Sequence, residues 1–183
     1  KVGEGVYRHL PVLDVNLTAI RTNAQVLCDV CARNNISVAG IIKFSNADLQ
    51  IAKAYLDGGC VQLGVSRARH LQPLKEAFPD AETLLTRSPG RCDLEDCARY
   101  ADLSLHADPN VLTALNAEAE KWNTRPGIIL MLDVGDLREG VDNIDELVEL
   151  AKTDFCTAWM ALHDDFRTRY KASVEEAIPQ AFA

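Results

Sequence analysis

An α/β fold built on a parallel sheet is what this sequence predicts, on three observations. Five short apolar runs of strand length recur along the chain, and each is followed by a helical segment. The runs are apolar on both faces rather than alternating, as in strands buried on two sides. With 48% hydrophobic residues in 183, the chain has enough apolar material to core one domain. Strands that alternate with helices in this way are joined by right-handed crossovers.

The elements follow in order. Leu17, Ile20, Leu27 and Cys31 recur at helical spacing and place one apolar stripe on a first helix. "SVAGIIK" (37–43) is the first strand. Asn46 is the expected N-cap of the second helix, which runs to Leu56 and stops at Gly58 and Gly59. "VQLGVS" (61–66) and "ETLLTR" (82–87) are the next two strands, and "DLEDC" (93–97) is an acidic helix start that suits the helix dipole. After the fourth strand, "DLSLHA" (102–107), Asp108 and Pro109 supply an N-cap and a first helical position for "NVLTALNAEAEKW". "GIILMLDVG" (127–135) is the fifth strand, and Asn143 precedes "IDELVELAK", where Ile144, Leu147, Val148 and Ala151 share a face. Beyond Lys152, the residues Phe155, Trp159, Leu162, Phe166, Tyr170 and Val174 form a continuous helical stripe. The expected organisation is therefore a 1–152 sheet domain followed by a 153–183 amphipathic helical tail.

Charge and composition narrow the function. A net charge of −8 and a pI near 5.0 speak against nucleic acid or an anionic membrane as partner, because phosphate recognition rests on clustered Lys and Arg. A small molecule or a protein remains. No eighteen-residue apolar run is present, and Lys1 to Tyr7 lacks the apolar core of a signal peptide, so a cytoplasmic protein is expected. Cys28 and Cys31 form a CxxC, but inside a helical pattern, and Cys92 with Cys97 adds no second one. All six thiols are expected to act as small hydrophobes, with no metal site. His163 lies next to Asp164 and Asp165 rather than one turn from them, which is not a ligand spacing.

Two architectures fit the alternation: a doubly wound sheet or part of a (β/α)8 barrel. Neither GxGxxG nor GxxxxGK[ST] follows any strand. In a barrel, functional residues gather at the C-terminal ends of the strands. Lys43, Ser66, Arg67, Arg87, His106, Asp133 and Arg138 fall there or just beyond. Lys43 is the most specific of these, because an amine at a barrel mouth can form a Schiff base with an aldehyde cofactor. Ser66 and Arg67 end the second strand, a position from which they could approach substrate or cofactor, with a surface ion pair an equal reading for Arg67. His106 is expected chiefly as a satisfied or exposed histidine, proton transfer by its neutral ring being the lesser reading, and Asp133 could orient Arg138 or sit in a strand-end hydrogen-bond network.

Three stretches carry a resemblance: "PVLDVNLTAIRTN" (11–23), "IIKFSNADLQIAKAYLDGGCVQLGVSRARHLQPL" (41–74) and "IILMLDVGDLREG" (128–140). Together they resemble the N-terminal barrel of alanine racemase-like proteins that use pyridoxal 5'-phosphate, nearest to the ornithine racemase-like branch. Asp14, Leu17, Ala19, Ile20 and Asn23 supply the family's entry segment, Lys43 its cofactor lysine, and Gly135, Arg138 and Gly140 the stretch after its fifth strand. The likeness runs over about residues 8 to 152 and implies an incomplete TIM-barrel-like sheet of about five βα units. It further implies pyridoxal 5'-phosphate on Lys43, contacts from Ser66, Arg67 and Arg138, and interconversion of L- and D-amino acids. In the family the opposite base is a tyrosine from a second, β-rich domain, and later strands complete the phosphate cup. A homodimer, or a partner chain completing the barrel, is the corresponding expectation here. The alternatives are a non-enzymatic pyridoxal 5'-phosphate binder and a cofactor-free interaction module docking through the tail.

Overall fold

Five strands of three or four residues each pair in parallel: β1 (Ala39–Ile41), β2 (Gln62–Val65), β3 (Glu82–Leu85), β4 (Leu103–His106) and β5 (Gly127–Leu130). The computed structural model describes residues 13–133, 140–141 and 143–151. Helices α1 (Leu17–Ala32), α2 (Leu49–Asp57), α3 (Leu71–Ala77), α4 (Leu94–Tyr100), α5 (Pro109–Trp122) and α6 (Ile144–Ala151) alternate with the strands. The sheet order is β1-β2-β3-β4-β5. That order decides between the two architectures, because a doubly wound sheet reverses its strand order at a switch point and this one does not. Crossovers of one hand then lay the helices on one face, and the result is an incomplete barrel-like sheet.

Residues paired across parallel strands share a face, so the register sorts the side chains. Leu63 pairs with Thr83, Val65 with Leu85, Leu85 with Ser104, and Ser104 with Ile128. All of these are buried, and they form the helix-facing side. On the other side, Gly64 sits between Ile41 and Thr86: a β-carbon there would lie 2.3 Å from Ile41 Cδ1 and 3.1 Å from Thr86 Cγ2. This inner face continues through Leu84, Leu105 and Ile129, and Ile129 is 37% exposed.

The helix ends follow the sequence with one exception. Asp108 Oδ1 accepts from Asn110 N at 2.8 Å with Pro109 in the first turn, and Asn143 Oδ1 accepts from Glu146 N at 2.8 Å. α2, however, is capped by Asp48, whose Oδ1 accepts from Gln50 N and Ile51 N, and not by Asn46. Asn46 instead takes a left-handed conformation (φ 55°) that ends the turn after β1. The α1 stripe is also rotated from expectation. Leu17 and Ile20 pack on the core and Ala24 is buried, but Leu27 is 59% exposed. The cause lies across the interface: at Gly58 a β-carbon would come within 2.6 Å of Ala24 Cβ. The closest approach therefore centres on Ala24, and Leu27 falls about 60° round the helix from it. The fifth strand stops at Leu130 rather than reaching 135, and Leu132 makes only a single parallel bridge to Val141. The tail stripe from Phe155 to Val174 lies outside the described residues.

Two polar devices sit within this scaffold. At the N-terminal ends of the strands, Asp102 Oδ2 accepts from Lys75 Nζ at 2.7 Å, from Thr83 N at 2.7 Å and from Thr83 Oγ1 at 3.0 Å, while Lys75 Nζ also donates to Ala81 O. The ion pair is a third exposed, so solvent weakens it. Thr83 is fully buried; its N–H depends on the carboxylate, while its hydroxyl also has Tyr100 O as an acceptor at 2.5 Å. The second device is His106. Alternation from Ser104 turns its ring toward the helices, where it is fully buried with Nε2 2.8 Å from Ser104 Oγ and Nδ1 unpartnered. Burial lowers its pKa from 6.5 to about 4.

Replacing Asp102 by Ala is expected to destabilise the fold by about 2 kcal/mol in urea denaturation, mostly through the stranded Thr83 N–H, since the Thr83 hydroxyl keeps Tyr100 O. His106 sets a pH dependence. The unfolded imidazole takes up a proton below about pH 6.5 and the native one only near 4, so its contribution is intact above 6.5 and is lost as pH falls through that window. Stability should decline on the order of 3 kcal/mol more steeply between pH 6.5 and 4 in the natural chain than in His106→Gln, measured by denaturation at each pH.

Candidate functional site

The end of β1 is built by a change of backbone conformation. Ile42 is fully buried and still donates to Gly64 O at 2.9 Å, as a strand residue would. Its own torsions (φ −110°, ψ 19°) then turn the chain out of the sheet into a 3-10 turn over Lys43–Ser45. Ser45 closes this turn, its N at 3.3 Å and its Oγ at 3.0 Å from Ile42 O. Asn46 and Ala47 follow with φ of 55° and 61°. Two consecutive left-handed residues, neither of them glycine, store on the order of 1 kcal/mol each. A buried Ala47 gives no sequence signal for such a conformation, so this part of the site was not legible beforehand.

This turn presents Lys43 outward. The side chain is exposed and makes no hydrogen bond or ion pair with the described residues, whose salt bridges are Lys53–Asp57, Lys75–Asp102, Arg99–Glu95 and Lys121–Glu118. At the neighbouring strand end, Arg67 reaches over to the Lys43 turn, with Nη1 donating to Asn46 Oδ1 at 3.1 Å. Arg67 is thus held by a neutral amide and not by an ion pair. Ser66, half-buried, precedes it. The structure therefore brings Ser66 and Arg67 beside the Lys43 turn. His70, three residues on, was not singled out from the sequence; burial and then the charges of Arg69 and Arg67 lower its pKa, favouring the neutral ring.

The remaining strand ends are occupied differently. Thr86 Oγ1 donates to Val65 O at 3.0 Å and Ser88 Oγ to Leu105 O at 3.2 Å, satisfying carbonyls where the sheet ladder ends. Arg87 is exposed and folds onto its own loop, Nε donating to Ser88 O. His106 faces the helices, which removes it from the strand-end site where the sequence placed it. Asp133 N donates to Val141 O at 2.9 Å. Arg138 and Gly135 lie outside the described residues. Gly140, the last member of that stretch, has φ 155°, and a β-carbon on it would lie 2.3 Å from Asp133 N. Only glycine fits there.

Two other features lie apart from this site. A shallow groove of about 300 Å3 runs between α1 and α2, lined by Leu17, Thr18, Arg21, Gln50, Lys53, Ala54 and Asp57. No group of three or more His, Cys, Asp or Glu among the described residues is arranged to hold a metal ion. None of the described helices is long and apolar enough to cross a membrane.

Comparison with known proteins places this geometry. Residues 15–157 match the family model of the alanine racemase N-terminal domain. The chain is 30% identical over 142 residues to ornithine racemase of Acetoanaerobium sticklandii, covering 78% of this chain and 40% of that protein. It is 31% identical over 131 residues to lysine racemase of Thermotoga maritima, covering 72% of this chain and 37% of that protein. The chain thus spans about two fifths of the length of these curated relatives. A solved structure of alanine racemase from Bartonella henselae with covalently bound pyridoxal phosphate superposes with a TM-score of 0.61 at 22% identity, covering 76% of this chain and 39% of that one, a likeness of fold. With parallel strands in sequential order, a lysine ending the first of them, and a family match across most of its length, the chain belongs to the alanine racemase N-terminal domain family.

Proposed function

We propose that this chain is the cofactor-bearing part of a pyridoxal 5'-phosphate-dependent amino-acid racemase, and that Lys43 is the lysine carrying the cofactor. The observation that supports it best is the placement of Lys43. A buried Ile42 anchors the strand end, a strained turn follows, and the amine between them is exposed with no partner among the described residues. A structural lysine would be expected to pair, as Lys75 does with Asp102.

The residues present fit the group. Lys43 offers the amine, Ser66 a hydroxyl and Arg67 a guanidinium at the adjoining strand end, and Gly140 permits the close backbone approach beside Asp133 that precedes the proposed contact from Arg138. When bound, the cofactor supplies an electron sink that acidifies the substrate's Cα proton. Lys43 then takes or returns that proton on one face, and Arg67, tied to Asn46, orients an anionic group beside it. Exchange of configuration requires a second base on the opposite face. We assign that base, and the amino-acid side-chain contacts, to a partner: a second copy of this chain or another chain that completes the barrel over the half-buried inner face around Ile129. The division into a 1–152 barrel part and a 153–183 helical tail, and a cytoplasmic location, belong to the same proposal. The 37–40% coverage of the racemases favours one second reading, a pyridoxal 5'-phosphate binder without turnover.

The purified chain with added pyridoxal 5'-phosphate is expected to develop a visible absorbance band that borohydride fixes on Lys43, and Lys43→Ala is expected to abolish it. Chiral chromatography of ornithine and lysine incubations then separates the two readings. Racemisation supports the enzyme, a trapped band without racemisation supports the binder, and a band of equal strength in Lys43→Ala would end both in favour of an interaction module. Gly140→Ala should weaken cofactor retention at least several-fold and lower stability by about 1–3 kcal/mol, because the added methyl meets the backbone of Asp133.

A further inference from the structure

Cys28 on α1 and Cys60, two residues before β2, bring their sulfurs to 3.9 Å across 32 residues of sequence. The approach is built by the two glycines that end α2. Gly58 lets Ala24 in to the packing distance described above. Gly59 takes φ 96°, and a β-carbon there would stand 3.3 Å from Cys28 Cβ. A side chain at Gly59 would strain this left-handed backbone and crowd Cys28 by a few tenths of an ångström, so glycine favours the close approach. A disulfide needs the sulfurs about 1.9 Å closer than this, within reach of side-chain rotation at two cysteines that already touch. Cys28 is half-buried and Cys60 buried, so reagents in solution meet Cys28 first.

We propose that Cys28 and Cys60 are a reversible redox pair which, when oxidised, staples α1 to the start of β2. The oxidant class is a low-molecular-weight disulfide. The Cys28 thiolate attacks one sulfur of that molecule and expels one thiolate, giving a mixed disulfide. Cys60 gives its proton to that expelled thiolate, attacks Cys28 Sγ and expels the second thiolate, which takes up the proton that Cys28 released on ionising. Two protein thiols are oxidised, one disulfide is reduced to two thiols, and no further reactant is required. Burial first, then the neighbouring Cys28 thiol, hold the Cys60 thiol up at about 11, which makes the second step slow and faster at higher pH. The loop so closed, residues 28–60, contains β1, the Lys43 turn and all of α2. Oxidation would thus restrain local opening of the segment that presents Lys43. Cys31, one turn along α1 and also half-buried, is the competing thiol.

The test treats the reduced full chain with oxidised glutathione and reads intact mass and tryptic peptides without reduction. The expected result is a loss of 2 Da, reversed by dithiothreitol, and a link between peptides 22–33 and 54–67 with Cys31 still open to alkylation. Cys31→Ser should keep the link and Cys28→Ser should lose it. The oxidised form should melt roughly 5–10 °C higher than the reduced form. No mass change, a link through Cys31, or a link only between two chains would each overturn the proposal. These readings are made on the unaltered chain as well, so a variant that failed to fold would not protect it.

Discussion

The structure depends on a constraint of handedness. Parallel strands joined in sequence by right-handed crossovers receive their helices on one face only, and here the order from β1 to β5 never reverses. The face under the helices accordingly holds the fully buried strand residues, Leu63, Val65, Thr83, Leu85, Ser104 and Ile128 among them. The opposite face, from Ile41 through Gly64 and Leu105 to Ile129, carries none of the described helices, by the same rule. Its half-buried state, and the racemases' much greater length, have the same origin: five βα units are the start of a closed barrel, and closure is what would bury that face.

The two ends of the sheet serve different purposes. At the N-terminal ends, polar groups are consumed: Asp102 collects Lys75 and both donors of Thr83, and its backbone joins β3 and β5 through Thr83 O and Gly127 N. At the C-terminal ends, Lys43 is left uncommitted, Asn46 and Ala47 hold left-handed torsions, and Gly140 sits where no side chain fits. A barrel places stability at one end and chemistry at the other, and Ala47, the one left-handed residue among the described ones that is neither Asn nor Gly, lies where the chemistry is proposed.

How far the sequence was legible varies with the range of the interaction. The cap at Asp108 was read correctly because a cap is satisfied within three residues. Asn46 was misread because Asp48, two residues on, is an equally good cap, and the choice fell to a left-handed turn that frees Asn46 to accept from Arg67 across the strand ends. Leu27 was misread because helical spacing defines a stripe but not which residue meets Gly58. His106 was placed at the right strand end, but its face could not be read, since that is fixed by Ser104's register with β3 and β5. Arg138 and the tail stripe lie outside the described residues.

The sequence by itself determined the alternation of strands and helices, the strand ends that carry polar groups, and the place of Lys43 at the end of the first strand, because periodicity, capping and turn chemistry act over a few residues. Only the tertiary structure decided the sequential strand order, the faces of His106 and Gly64, the tie from Arg67 to the Lys43 turn and the meeting of Cys28 with Cys60. These depend on register and on how closely two backbones can approach. Both are settled by contacts between residues that are far apart in the chain.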